Sequence, residues 1–378
     1  MQPVIALIMA GGGGKRLWPA SRVDRPKQLM PDPLEPWRSL LAATASRLLG
    51  LVDLGATHVV TVADQLEAVR EALPQLPPNN FIAEPQARNT GPAIALSLVE
   101  LRAKLGEQAD DAMIIVLPAD HMISDEPRFR ACLRQAVAHA RAHDRVVTLG
   151  VEPDYAATGY GYMQRGAIPR ENVEDGIDEF PVFDALRFVE KPDQITAASY
   201  LASGDYLWNA GIFVFPLTRL EEDFQRYCPD MVRALEPVAQ TLEAGGDATA
   251  LKQRAYAEMR SVPLDVAIME KLDDLLVVPA KVGWSDLGGW KAIADLLPTD
   301  ADGNAIAVNA NHEVVVIDSR DNLIFSEDAT VGIIGIEDLA VVVSGGKVLV
   351  CPKYRTQEVR QLVKELSRRQ TMLQTQDE

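Results

Sequence analysis

Apolar residues recur along the first 150 positions in short, β-branched runs separated by longer stretches of helical period. The runs at 4–10, 58–63, 81–84, 112–118 and 145–150 predict strands, and the stretches at 37–49, 65–73, 90–105 and 126–143 predict amphipathic helices. Such alternation predicts an α/β fold with a mostly parallel, Rossmann-like sheet covered by helices on both faces. From 151 to about 297 the texture is mixed, with strands expected near 186–190 and 208–215 and largely helical sequence over 216–260. The segment TDADGN at 299–304 is a turn-rich break. Beyond it, short β runs at 305–308, 313–318, 322–325, 331–334, 340–343 and 347–350 predict a small all-β element of stacked parallel coils. A closing amphipathic helix is expected over 356–366. The pattern divides the chain into a domain at 1–297 and a β-rich, β-helix-like domain at 298–378.

Ligands of open α/β sheets bind beyond the carboxyl ends of the strands. Three candidates follow strands in this way: the glycine loop after residue 10, Glu84 and Asp120. They are expected to share one rim. The loop AGGGGKRLWPASRVDRPKQLM carries Gly11, Gly12, Gly13 and Gly14, then Lys15 and Arg16. Five basic residues (Lys15, Arg16, Arg22, Arg25, Lys27) stand there against the single acid Asp24. Cationic side chains around bare backbone N–H groups suit a nucleoside triphosphate. The loop is not a Walker P-loop, because Met9 stands where its first glycine belongs and Arg16 where its magnesium-binding hydroxyl belongs. Nor is it a Rossmann fingerprint, since Arg16 occupies the third glycine position. A flexible linker is the alternative, but linkers do not join an apolar strand to an anchored Leu-Trp-Pro.

The whole chain gives that local cluster its meaning. Over 378 residues the formal net charge is −17, which argues against nucleic acid or an anionic membrane as partner. It favours a small anion held in one basic pocket. Three distant cysteines without a CxxC are expected to be buried free thiols in a reducing cytoplasm. No apolar run is long enough to span a bilayer. The N-terminal apolar run is read as a strand and not as a signal peptide.

Asp120 closes the strand MIIVLPAD, where a carboxylate facing a phosphate loop can hold Mg²⁺; capping the next turn is the alternative. His121 is expected to pack. Asp286, in GWSDLGGW, is the natural second carboxylate, with a helix N-cap as its alternative. Glu84, in FIAEPQARNTGPA, can accept the adjacent N1–H and N2–H₂ donors of guanine, a pair adenine lacks. Arg88 and Asn89 can contact phosphate or ribose, or fix the turn before the following helix. Glu190 and Lys191 suit the hydroxyls and phosphate of a sugar phosphate, and equally a surface ion pair. Asn209 and the Gly159-Tyr160-Gly161 turn can add polar and backbone contacts to a sugar. No nucleophile–base set is present, as expected for nucleotidyl transfer, which needs mainly positioning and charge stabilisation.

Together the segments GGGGKRLWPASRVDRPKQL, EPQARNTGPAIAL, VLPADHMI, TGYGYM, FVEKP, WNAGIFVF, LDVAIMEK and GWSDLGGW resemble the mannose-1-phosphate guanylyltransferases of the sugar-nucleotidyltransferase superfamily. RLWP, PKQ, EPxxRNT and PADH in combination are the specific part, and the β-rich tail with NLIFSED is also similar. The resemblance implies that GTP and mannose 1-phosphate give GDP-mannose and pyrophosphate with Mg²⁺, in a cytoplasmic enzyme expected to be a homodimer. By motif matching, Arg16 and Lys27 neutralise phosphate charge and Asp120 and Asp286 hold the metal. Gly11 to Gly14, Lys15, Glu84, Arg88 and Asn89 serve the nucleotide, while Gly161, Glu190, Lys191 and Asn209 serve the sugar phosphate. Two departures stand out. Ala210 replaces the family's more usual serine, and the chain ends at Glu378, where many bacterial relatives continue into a phosphomannose isomerase domain, so a single activity is expected. The rivals are another hexose 1-phosphate or NTP as substrate, and a silent regulatory homologue that binds GDP-mannose.

Overall fold

A computed structural model describes residues 3–12, 14–171, 173 and 180–374, with the backbone alone at Lys15 and 370–374. The chain forms two compact units, each assembled from separate stretches of sequence. The first comprises Met1–Gly11, Thr44–Ala119 and Ile123–Trp284; the second comprises Gly12–Ala43, Asp120–Met122 and Ser285–Glu378.

The strands of the chain begin with β1 (Val4–Met9), β2 (Thr57–Val62), β3 (Phe81–Glu84), β4 (Met113–Pro118) and the two-residue β5 (Met122–Ile123). They continue with β6 (Val147–Val151), β7 (Tyr162–Arg165), β8 (Phe183–Val189), β9 (Tyr206–Pro216), β10 (Leu276–Pro279) and the two-residue β11 (Trp284–Ser285). Nine of these make the sheet of the first unit, in the order β3-β2-β1-β4-β9-β6-β10-β8-β7. Its β3-β2-β1-β4 half is wholly parallel, as the alternating β and α pattern requires. VIALIM in β1 and MIIVLP in β4 are near-continuous apolar runs, the signature of parallel strands buried on both faces. The other half is mixed. The eleven-residue β9 runs antiparallel to both β4 and β6, so the sheet as a whole is mixed where the pattern predicted a mostly parallel one. β9 lies in the middle of the sheet, between β4 and β6, which both precede it in sequence.

Helices Thr90–Leu105 and Glu126–His143 match their sequence patterns. Their starts are set by side chains: Asn89 accepts from the Thr90 amide at 3.0 Å, and Asp125 from the Arg128 amide at 3.0 Å. Helices Leu217–Tyr227, Pro229–Glu243 and Thr249–Glu258 fill the stretch expected to be helical. Strands β7 and β10 went unpredicted; each is four residues long and too short to show a period. Cys132 and Cys228 are buried free thiols, whereas Cys351 is only half-buried.

In the second unit, β12 (Ala305–Val308), β13 (Val314–Ile317), β14 (Leu323–Ser326), β15 (Val331–Ile334) and β16 (Leu339–Ser344) stack as parallel coils. Register runs Ala305 to Leu323 to Ala340, and Val314 to Val331, so one coil is 17 or 18 residues. β17 (Lys347–Pro352) then closes antiparallel on β16. Stacked coils bury turn backbone, and an asparagine ladder satisfies it. Asn322 donates to Asn304 Oδ1 and to the Ile336 carbonyl at 3.0 Å each, and accepts from the Leu339 amide at 3.0 Å. The core of this unit joins Leu17, Ala20, Met30 and Leu40 of the glycine-loop segment to Trp290, Leu323, Phe325, Val342 and Leu349. The helix Val359–Gln374 closes the chain, with Val359 and Val363 packed on that core. Among the described residues no helix is long and apolar enough to cross a membrane.

Candidate active site

Everything that lines the pocket beside the glycine loop belongs to the second unit. The glycine loop follows β1 in sequence and Asp120 follows β4, its parallel neighbour in the sheet order. Gly14, Arg16, Lys27, Asp120, Asp286 and Gly288 line a cavity of about 550 Å³. Gly14 stands at φ +48, and a Cβ there would fall 2.4 Å from Lys27 Cβ. The glycine therefore provides both a left-handed turn and the room in which Lys27 lies. The Lys27 ammonium is 2.9 Å from Asp120 Oδ2 and donates to the Asp286 carbonyl at 2.5 Å, tying the loop to both acidic segments. Burial pushes the Asp120 carboxyl up, yet the Lys27 charge, the neighbouring His121 and the Lys27 hydrogen bond outweigh it and hold the group below its usual value. Asp120 is thus kept ionised.

Asp286 accepts from the Gly288 amide at 2.9 Å, a local turn. It is not the N-cap of the next helix: that helix is Trp290–Leu296, and its cap is Gly289. Arg16 points a guanidinium nitrogen at the Gly288 carbonyl, 3.5 Å away. Four of the five basic residues of the loop divide by function. Arg22 donates to the Pro19 carbonyl at 3.1 Å and Ser344 Oγ at 3.2 Å, and Arg25 pairs with Glu327 at 2.5 Å. These two anchor the loop to the β coil, which leaves Arg16 and Lys27 in the cavity. Gly13 and the Lys15 side chain lie outside the described residues. Gly12 is exposed at φ +133.

The remaining sequence candidates lie in the first unit. Glu84 ends β3 and is only 5% exposed. Burial raises its carboxyl to about 7 against the opposing hydrogen bond from Tyr256, whose hydroxyl donates to Oε2 at 3.2 Å. A Cβ on Gly11 would be 3.8 Å from Glu84 Oε1. Arg88 donates to the Met259 carbonyl at 2.7 Å, and Asn89, at φ +71, caps the Thr90 helix. Both residues hold chain in place. On β7–β9, a Cβ at Gly161 would meet Glu190 Oε2 at 2.6 Å, so glycine there makes room for that carboxylate. Glu190 pairs with the exposed Lys191. Asn209 donates to Asp265 Oδ1 at 2.7 Å and accepts from the Gly211 amide at 3.0 Å. Ala210 is buried in β9.

The sequence profile of the family described as "Nucleotidyl transferase" matches residues 5–303, and that of a "MannoseP isomerase/GMP-like beta-helix domain" matches residues 312–366. The chain is 35% identical over 366 residues to the mannose-1-phosphate guanylyltransferase of Escherichia coli K12, covering 95% of this chain and 73% of that protein. It belongs to the mannose-1-phosphate guanylyltransferase family. The xanthan biosynthesis protein XanB of Xanthomonas campestris strain B100 is likewise 35% identical, over 97% of this chain and 74% of its own length. Among solved structures, one described as "mannose-1-phosphate geranyltransferase" from Thermus thermophilus superposes with a TM-score of 0.81 at 34% identity, over 97% of this chain and all of that one.

Within this guanylyltransferase-family chain the structure adds residues that motif reading missed. Arg360 and Lys364, on the closing helix, line the same cavity as Arg16 and Lys27. Asp265 and Tyr256 buttress Asn209 and Glu84. Burial first, and the charge of Glu190 second, push Asp265 up to about 6. Asp265 stood within the quoted LDVAIMEK segment, so its pairing was within reach; nothing in the sequence marked the other three.

Proposed function

We propose that the protein transfers GMP from GTP to mannose 1-phosphate, releasing pyrophosphate and forming GDP-mannose. The observation that carries this reading is the cavity in which Arg16 and Lys27 stand with Asp120 and Asp286 on a glycine turn, in a chain of this family. Arg16 and Lys27 bind the triphosphate through charge-assisted hydrogen bonds and offset the charge that builds up at the transferring phosphorus. Asp120 and Asp286 offer hard carboxylate oxygens, the donor type from which Mg²⁺ takes one or two ligands while phosphate and water fill the rest. Hard oxygen donors of this kind, few in number and beside a phosphate site, are the set that suits that ion. When bound, the ion supplies further neutralisation of phosphate charge.

A phosphate oxygen of the sugar 1-phosphate attacks the α-phosphorus of GTP. The bond from that phosphorus to the bridging oxygen of the β-phosphate breaks, and pyrophosphate leaves with the electron pair. The nucleophile is already ionised, because the second pKa of a phosphomonoester is about 6, so the reaction needs no general base. In the first unit, Glu84 takes the guanine donors, and Gly161, Glu190, Lys191 and Asn209 take the sugar phosphate. Release of pyrophosphate, measured over a panel of NTPs and hexose 1-phosphates, tests the assignment. Turnover is expected with GTP and mannose 1-phosphate; turnover with a different pair, and none with this one, overturns it.

A further inference from the structure

The closing helix brings two cations to the cavity that the motif residues do not account for. Val359 and Val363, four residues apart, seat one stripe of the helix on the core of the second unit. Arg360 and Lys364 stand one position further on, with the same spacing, and line the cavity with Arg16, Lys27, Asp120 and Asp286. The other charges of this helix region are spoken for. Glu358 pairs with Arg355, and Glu365 pairs with Arg368 and Arg369, while neither Arg360 nor Lys364 has an ion pair among the described residues. Without the helix the lining holds two cations and two carboxylates and is formally neutral; Arg360 and Lys364 make it net positive. A nucleoside triphosphate brings about four negative charges at neutral pH, most of them on its two outer phosphates.

We propose that Arg360 and Lys364 are phosphate-binding residues for the β- and γ-phosphates of GTP and for the departing pyrophosphate. This rests on the guanylyltransferase reading and extends its anion site to the C-terminal helix. An arginine there gives a planar fork and a lysine a mobile point charge, a pair suited to a group that is bound through a phosphoanhydride and released as a free anion.

The test uses the full-length chain and the variants Arg360→Gln, Lys364→Gln and their combination, with Arg360→Lys and Lys364→Arg as charge-conserving controls. Each lost cation is expected to raise the KM for GTP, and the KM for pyrophosphate in the reverse direction, by about tenfold, the scale of a hydrogen bond to a charged group. KM values for mannose 1-phosphate and GDP-mannose stay within about twofold, and the salt dependence of the KM for GTP flattens in the double variant. The charge-conserving variants recover most of the loss. Unchanged KM values for GTP and pyrophosphate in the double variant, or a rise confined to mannose 1-phosphate, overturn the proposal. If the wild-type chain does not turn over GTP with mannose 1-phosphate, the guanylyltransferase reading fails on its own. Calorimetric titration with inorganic pyrophosphate then decides the separate point: weaker binding by the double variant supports the two residues as a polyphosphate site, and equal binding overturns it.

Discussion

Lys27 works through two contacts, the 2.9 Å ion pair with Asp120 and the 2.5 Å bond to the Asp286 carbonyl. Lys27→Ala and Asp120→Asn are each expected to lower kcat by about 10²–10³ in the pyrophosphate-release assay while the circular dichroism melt keeps its shape. Because each residue holds the other, the double variant should cost much less than the product of the two singles; a fully multiplicative loss would show that they act independently. Glu84 makes a second, pH-linked prediction. Its folded pKa of about 7 lies above the unfolded value near 4.5, so between those values the folded state holds a proton that the unfolded state has lost. Stability tied to this group is present at pH 4.5 and is lost as pH rises through about 7. Melts of the wild type and Glu84→Gln from pH 5 to 8 should therefore show the wild type losing ground to the variant as pH rises, and parallel curves would refute the buried-acid assignment. Residues of this kind were legible in sequence because each sits in a glycine- or proline-marked motif, Asp120 and Glu84 at strand ends and Lys27 in the loop after β1. Arg360 and Lys364 were not, since on a helix rich in charge they look like any solvated face until the fold sets that face over a cavity.

The elements most visible in the sequence are those with enough length to show a period. Thr90–Leu105 and Glu126–His143 are long enough for their period to mark both ends, and in the structure a side-chain cap fixes each start. The short β12 and β15 were read because regular spacing compensated for four-residue length. What stayed hidden was pairing. Nothing local in YLWNAGIFVFP says that β9 lies antiparallel between β4 and β6, because strand direction is decided by connections and not by composition. The coil's asparagine ladder was hidden for a similar reason: Asn304 and Asn322 are ordinary turn residues until the 18-residue register stacks them. Asn322→Ala removes a buried donor and acceptor at once, leaving the Leu339 amide and the Ile336 carbonyl without this partner. A loss of about 1–3 kcal/mol is expected in urea unfolding of the full chain, from the cost of orphaned buried groups. Stability unchanged from wild type would mean that water replaces the ladder.

At the scale of the whole molecule, the phosphate loop and the β coils, far apart in sequence, contribute to one compact unit. Trp290 donates to the Trp18 carbonyl at 2.9 Å, and its ring lies 5.1 Å from that of Phe325. Leu17, Met30 and Leu40 close the same core. The glycine loop thus takes its shape from a packing surface that later residues supply, and Arg22 and Arg25 add anchors at Ser344 and Glu327. A chain cut after residue 297 keeps the motif residues from Gly11 to Asp286 but loses Phe325, Val342 and Leu349 from that core, together with Arg360 and Lys364. It is expected to release no pyrophosphate and to bind a dye for exposed apolar surface. Truncation is a blunt change, so Phe325→Ala in the full chain serves as the finer probe. It should cost about 3–5 kcal/mol of stability as a large-to-small core change, and it should raise the KM for GTP because the loop it supports through Trp290 loses definition. If Phe325→Ala destabilises the chain but leaves the KM for GTP unchanged, the coils hold the fold without shaping the phosphate site. If KM rises with it, the β coils are part of the catalytic apparatus, acting on the loop from behind.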